Sequence, residues 1–122
     1  MKPGYSLFKN GKYAVEGLWT GLKQESSFKL EVGLGVAEAL LLLFLPLPLH
    51  WKGILLFSLF LLLAVELLNS AIERVVDLVS PQFHQLAKEA KDLGAGAVFL
   101  ILVGHLLLWL VTALELINDL ES

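Results

Sequence analysis

The residues between Asp92 and Glu115 constrain the fold of this chain more than any other stretch. These 22 consecutive residues, 93 to 114, carry no formal charge and consist mainly of Leu, Val, Ala and Gly. An α-helix rises about 1.5 Å per residue, so the stretch is long enough to cross a hydrocarbon core of about 30 Å. It predicts a membrane span over about residues 95–117.

Two further apolar stretches flank the segment PLPLHWKG and predict spans over about residues 32–49 and 53–72. Pro46 and Pro48 are expected to end the first, and Ser80-Pro81 to break the helix after the second, with Pro81 opening the next helical turn. Hydrophobic residues make up 57% of the chain and charged residues only 17%. The sequence therefore predicts an all-α membrane protein, with residues 1–122 forming a single membrane-embedded domain.

Positive charges are distributed unequally around the predicted spans. Only Lys52 lies between the first and second spans, whereas the other basic residues precede the first span or follow the second. Because loops rich in Lys and Arg stay in the cytoplasm, the N-terminus is predicted to be cytoplasmic and the C-terminus to lie outside. The cytoplasmic basic residues are Lys2, Lys9, Lys12, Lys23, Lys29, Arg74, Lys88 and Lys91.

Residues 12–29 predict an amphipathic helix that lies on the inner membrane surface. Val15, Leu18, Trp19 and Leu22 recur at helical spacing, and Lys12, Lys23 and Lys29 are available for anionic headgroups. The chain therefore has one surface helix followed by three predicted spans.

The second predicted span carries a stripe of polar residues that an ordinary span would lack. Glu66, Asn69, Glu73 and Asp77 fall within about 80° of one helix face. Carboxylate and amide oxygens suit Mg²⁺, which proteins commonly hold together with substrate phosphates. The alternative is that these groups only join transmembrane helices by hydrogen bonds and ion pairs.

Other residue types limit the chemistry and the partners. The chain has no cysteine, which excludes disulfides and zinc-thiolate sites, and no basic run interleaved with aromatics, so no nucleic-acid partner is expected. Glu38 and His105 lie within predicted spans. We expect Glu38 to make a buried hydrogen bond, with lipid-headgroup contact as the alternative. We expect His105 to make an interhelical hydrogen bond rather than to serve as a metal ligand or proton relay. Packing is expected for Trp109.

Three stretches, YAVEGLWTGLKQESSFKLE, ELLNSAIERVVD and AKEAKDLGAGAV, occur in this order along the chain. They resemble the prokaryotic integral-membrane diacylglycerol kinase family over nearly the whole chain. The resemblance implies a homotrimer in the bacterial inner membrane, with active sites shared between neighbouring subunits. It also implies transfer of the ATP γ-phosphate to the hydroxyl of diacylglycerol, giving phosphatidate, with Mg²⁺ as cofactor.

The resemblance also assigns roles to individual positions. Glu66 would be the general base, Asn69 a polar residue beside it, and Glu25 and Glu73 the metal-binding carboxylates. The implied ATP-binding residues are Tyr13, Glu25, Glu73, Gln82, Phe83, His84, Lys91 and Asp92. The implied lipid-substrate residues are Trp19, Phe28, Glu31, Glu66 and Ala95.

Two features depart from the family pattern. An N-terminal arginine of the family has no evident counterpart, and Ala95 stands where the diacylglycerol enzymes carry a serine. KDLGAGAV is more similar to the related undecaprenol kinases, whereas LNSAIE is more similar to the diacylglycerol branch. Undecaprenol kinase activity is therefore one alternative. A non-enzymatic membrane transport or assembly subunit, which would bind no nucleotide, is the other.

Overall fold

A computed structural model describes residues 6–122, and this range consists of four helices joined by short segments. Lys2, one of the predicted cytoplasmic charges, lies outside the described residues. The helices are α1 (Leu7–Gln24), α2 (Ser26–Phe44), α3 (Leu49–Val79) and α4 (Gln85–Glu121). The predicted all-α architecture is confirmed for the described range.

The predicted surface helix over residues 12–29 is wrong at its C-terminal end. Helix α1 ends at Gln24, Glu25 has an extended backbone, and Phe28 already belongs to α2. Phe28 is 2% exposed and folds over Gly21, where an added Cβ would lie 3.0 Å from the Phe28 ring. Burial of this ring against a glycine favours a sharp bend over a continuous helix. We call residues 25–27 the elbow.

The other helix ends agree better with the sequence. Helix α2 ends at Phe44, before Pro46 and Pro48, as predicted. Helix α3 ends at Val79, which confirms the break at Ser80-Pro81. Pro81 does not open the next helix, because α4 begins only at Gln85.

Within residues 6–122, two helices are long and apolar enough to cross a membrane, α3 with 31 residues and α4 with 37. At about 1.5 Å per residue they measure roughly 46 and 55 Å, so both exceed a hydrocarbon core of about 30 Å. Helix α2 has 19 residues, including the charged Lys29, Glu31 and Glu38. The predicted span over 32–49 stays a prediction.

The closest packing joins α3 to α4, and α2 contacts α3 on another side. Leu55, Leu59 and Leu62 of α3 are buried, as is Leu42 of α2. An added Cβ at Gly35 would lie 2.9 Å from the Leu59 side chain, so the absence of a side chain lets α2 approach α3 closely. This packing fixes the face of α3 that meets the other helices.

A buried polar group joins α2, α3 and α4 near the middle of the bundle. The two ring nitrogens of His105 lie 2.7 Å from Ser58 Oγ and 2.7 Å from Glu38 Oε1, and Trp109 Nε1 donates to the same Glu38 oxygen. The expected hydrogen bonds of Glu38 and His105 are therefore confirmed. We call these four residues the histidine cluster.

Candidate active site

The polar stripe of α3 lies at the end of the bundle that also contains the elbow. Glu66 is 5% exposed, although carboxylates are rarely buried without polar partners. One turn further along α3, Asn69 Nδ2 donates to Glu73 Oε1 over 3.3 Å. Asp77 follows near the helix end and is exposed. The stripe thus runs from a buried carboxylate to a solvated one.

Glu66 has two polar neighbours, both from α2. Ser27 Oγ donates to Glu66 Oε1 over 2.8 Å. Glu31, the second neighbour, lies near enough to interact with Glu66 electrostatically. Glu31 Oε2 is buried without a hydrogen-bond partner. We call Ser27, Glu31, Glu66, Asn69 and Glu73 the carboxylate cluster.

Gly94 of α4 contacts this cluster closely. A Cβ added to Gly94 would lie 2.2 Å from Asn69 Oδ1, so a side chain at this position would require the two helices to move apart. Asn69 Oδ1 is itself buried without a hydrogen-bond partner. The absence of a Cβ on Gly94 therefore places α4 against an acceptor oxygen that has no protein donor.

Glu25, one of the two predicted metal carboxylates, is paired with a cation. Arg74 Nη2 lies 3.0 Å from Glu25 Oε1 and donates to Gln24 over 2.9 Å. Across residues 6–122, no three Asp, Glu or His side chains form a group that could hold a metal ion. The joint role of Glu25 and Glu73 in metal binding stays a prediction.

Five of the predicted nucleotide-binding residues line one cavity of about 280 Å³ where α3 turns into α4. His84 caps the start of α4, because its Nδ1 accepts from Leu86 N over 3.1 Å. Phe83 is 81% exposed beside it. The five residues are Gln82, Phe83, His84, Lys91 and Asp92.

The charged residues of this cavity are paired within the chain. Lys91 Nζ lies 2.6 Å from Asp77 Oδ1, and Lys88 Nζ lies 2.7 Å from Asp92 Oδ2. The hydrogen bond that Lys91 donates to the Asp77 carboxylate raises the pKa of Lys91, with smaller contributions from the Asp77 and Glu73 charges. Lys91 precedes the charge-free run of α4 and is a cation available to phosphate.

The remaining predicted residues are dispersed. Tyr13 and Trp19 are exposed on α1, with Lys23 Nζ 5.9 Å from the centre of the Trp19 ring system. Ala95 is exposed on α4. Phe28 is buried and lines an apolar cavity of about 330 Å³, and its expected contact with lipid substrate stays a prediction. Within one chain these side chains do not form one site.

Comparison with known proteins identifies the family. Residues 12–118 match the family model described as prokaryotic diacylglycerol kinase, which covers most of the chain. The chain belongs to the prokaryotic diacylglycerol kinase family. The match extends from α1 to near the end of α4 and includes every predicted site residue.

Relatives in this family carry two different names. The diacylglycerol kinase of Helicobacter pylori strain 26695 is 38% identical over 103 residues, which cover 84% of this chain and 80% of the relative. That of Escherichia coli K12 is 32% identical over 106 residues, covering 86% of each chain. The undecaprenol kinase of Bacillus subtilis strain 168 is 34% identical over 92 residues, covering 75% of each chain.

Sequence reasoning missed three residues that shape the site of this diacylglycerol kinase family member. Ser27 donates a hydrogen bond to Glu66, and Arg74 pairs with Glu25. Gly94 lacks the Cβ that would collide with Asn69. Only Gly94 carried a usable signal, as a glycine two residues after Asp92 in the Lys91-Asp92-Leu93-Gly94 run. The contacts of Ser27 and Arg74 join positions 39 and 49 residues apart, which local spacing cannot show.

Proposed function

We propose that this protein is a diacylglycerol kinase, which transfers the γ-phosphate of ATP to the free hydroxyl of diacylglycerol and releases phosphatidate and ADP. One observation carries the proposal: the buried Glu66 shares a helix face with the Asn69–Glu73 pair, and the Glu73 charge acts on Lys91. The family match and the names of the relatives support it. The arrangement combines a base, oxygen ligands and a phosphate-binding cation.

Glu66 is the proposed general base. A diacylglycerol hydroxyl placed against its carboxylate would lose its proton to Glu66 as the hydroxyl oxygen bonds to the γ-phosphorus. The bond between that phosphorus and the β,γ-bridging oxygen breaks, and ADP leaves. Base catalysis of this kind contributes about 10²- to 10⁴-fold, and positioning and charge neutralisation supply most of the rest.

The carboxylate cluster also fits Mg²⁺. Asn69 Oδ1 is a buried oxygen without a donor, and the Glu73 carboxylate lies beside the same side chain. Oxygen ligands of this kind suit Mg²⁺, which usually takes one or two carboxylates and completes its shell with water and phosphate. Bound there with ATP, the ion would neutralise phosphate charge. Glu25 would join this set after releasing Arg74.

The nucleotide is proposed to enter the cavity at the start of α4. Lys91 would exchange Asp77 for a phosphate oxygen, a change between two exposed partners that costs little. His84, Phe83 and Gln82 would surround the adenine ring and ribose of ATP, and Tyr13 of α1 would add a further contact to the nucleotide. Asp92, which also lines the cavity, would hold the nucleotide with Lys91.

We also propose that α2 is the first of three membrane spans and that three copies of the chain form a trimer in the bacterial inner membrane. The N-terminus would be cytoplasmic and the C-terminus outside. Exposed apolar side chains along α2 and α4 require cover from lipid or from another copy. A second copy could bring Tyr13 and Trp19 to a site whose other residues lie on α3 and α4.

Undecaprenol kinase is the second candidate. Ala95 and the similarity to the Bacillus subtilis undecaprenol kinase favour it. Both candidates use the same base, metal ligands and nucleotide cavity, and they differ in the lipid alcohol that reaches Glu66.

Purified protein in mixed micelles with Mg²⁺ and γ-labelled ATP separates the candidates. We expect label to enter phosphatidate when diacylglycerol is supplied, at a kcat/KM at least tenfold above that for undecaprenol. The reverse preference would support the second candidate. No transfer to either lipid by folded protein would contradict both and favour the transport or assembly reading.

A further inference from the structure

We propose that Ser27 is a positioning residue that orients the Glu66 carboxylate toward the lipid hydroxyl. This inference rests on the proposed role of Glu66 as the base. Ser27 Oγ donates to Glu66 Oε1 over 2.8 Å, and Glu66 is 5% exposed. The serine is in the first turn of α2, whereas its acceptor is near the middle of α3.

The bond determines which carboxylate oxygen can react. An aliphatic carboxylate rotates about its terminal torsion with a broad, roughly two-fold preference, so an unrestrained Glu66 would sample many orientations. A donor fixed to Oε1 removes that freedom and leaves Oε2 for the proton of the substrate. General bases act only when they lie within hydrogen-bonding reach of the proton that they remove.

Glu31 cannot perform the same task alone. Glu31 is itself an acid, and an ionised carboxylate only accepts hydrogen bonds, so it has no donor for the Glu66 carboxylate. The hydroxyl of Ser27 has a defined role, because an ionised Glu66 only accepts. Ser27 is therefore the neighbour that holds Glu66 in place throughout the transfer of a proton.

The elbow holds Ser27 itself in position. Two residues earlier, Glu25 bonds to Arg74 of α3. One residue later, Phe28 packs over Gly21 of α1. Neither contact involves the Ser27 hydroxyl, and together they hold the elbow against α1 and α3 with Ser27 beside Glu66.

A matched pair of substitutions isolates the hydroxyl, because Thr and Val have nearly the same shape. Ser27→Thr keeps the donor, whereas Ser27→Val carries a methyl group where Thr carries the hydroxyl. We expect kcat for diacylglycerol phosphorylation to fall by about 10- to 100-fold in Ser27→Val and Ser27→Ala, as expected for loss of one hydrogen bond to a charged group. Ser27→Thr should stay within about threefold of wild type. The KM values for MgATP and lipid should change little in all three.

Two controls separate positioning from a structural role. Ser26→Ala, at the neighbouring serine, should leave kcat unchanged. In a Glu66→Gln background, Ser27→Val should cause no further loss, because a residue that acts through Glu66 has nothing left to orient. Circular dichroism and thermal unfolding should show folded protein for each variant compared.

Equal kcat for Ser27→Thr and Ser27→Val would overturn the inference, as would a further large loss in the Glu66→Gln background. Full activity of Ser27→Val with loss of activity in Glu66→Gln would overturn this inference alone. Full activity of Glu66→Gln would overturn the proposed base and the inference together.

Discussion

The histidine cluster and the carboxylate cluster differ in how completely the hydrogen bonds of their side chains are made. In the histidine cluster, both ring nitrogens of His105 have partners, and Glu38 accepts from Trp109 as well. In the carboxylate cluster, Glu31 Oε2 and Asn69 Oδ1 have none. These are the two buried side-chain atoms without a partner in residues 6–122.

This difference separates packing from chemistry. An unpaired buried polar atom costs about 1–3 kcal/mol, so a fold that served only stability would pair it or replace it. The histidine cluster is paired internally and can act as an interhelical connection without any ligand. The carboxylate cluster retains acceptor oxygens that a cation or a hydroxyl donor can satisfy. We therefore propose a structural role for the histidine cluster and substrate binding for the carboxylate cluster.

Apart from loss of the proposed base itself, the largest effect is expected at Glu73, the proposed metal ligand of the carboxylate cluster. Glu73→Gln removes a charged ligand, and we expect the Mg²⁺ concentration for half-maximal phosphorylation to rise by about 10- to 100-fold. Activity should recover in part at high Mg²⁺. The exposed Glu89→Gln is the control and should behave as wild type. An unchanged Mg²⁺ dependence in Glu73→Gln would show that the ion binds elsewhere.

Gly94 offers a second test of the same cluster. Gly94→Ala forces a Cβ to within 2.2 Å of Asn69 Oδ1 unless the helices move, and overpacking of this kind costs about 1–3 kcal/mol. We expect a lower midpoint of thermal unfolding and a severalfold lower kcat. Gly96→Ala, two residues away with nothing within 4 Å of the added Cβ, should change neither. Identical behaviour of the two variants would contradict the close approach of α4 to Asn69.

The histidine cluster should respond in stability and not in chemistry. His105→Leu leaves Glu38 and Ser58 without their shared partner, and we expect a loss of about 1–3 kcal/mol in the free energy of unfolding. The double variant Glu38→Leu/His105→Leu should recover part of that loss, since both polar partners are then replaced. Unfolding in a detergent series measures the stability. A fall in kcat of folded His105→Leu would place this cluster in the reaction.

The smallest effect is expected at the exposed pair beside the nucleotide cavity. Asp77→Asn frees Lys91 from its competing carboxylate, and we expect the KM for MgATP to fall by no more than about threefold. The gain should shrink with added salt, because exposed charges are screened. Lys91→Ala should raise the same KM. A large rise in KM for Asp77→Asn would instead make Asp77 a direct nucleotide ligand.

Local sequence signals predicted a large part of this molecule. The charge-free run indicated α4, Pro46 and Pro48 marked the end of α2, and Ser80-Pro81 marked the end of α3. Polar residues inside apolar stretches also pointed correctly to Glu38 and His105 as hydrogen-bonding residues. Each of these features is determined by neighbouring residues or by the cost of burying a lone polar group.

Local sequence signals could not predict the elbow or its contacts. Residues 12–29 have helical spacing throughout, and the bend arises because Phe28 packs over Gly21. Arg74 and Ser27 find their partners through that bend, across many residues of sequence. The pairing of Glu25 with Arg74 follows from the same bend. Residues whose role depends on packing between distant helices give no periodic pattern.

The most direct test of this account compares Glu66→Gln with Glu38→Gln in one preparation, measuring phosphatidate formation and thermal unfolding side by side. We predict that Glu66→Gln unfolds at or above the wild-type temperature but loses about 10²- to 10⁴-fold in kcat. Glu38→Gln should unfold at a lower temperature and keep its kcat within about threefold. Equal losses of activity in the two variants, or full activity of Glu66→Gln, would contradict the assignment of chemistry to the carboxylate cluster.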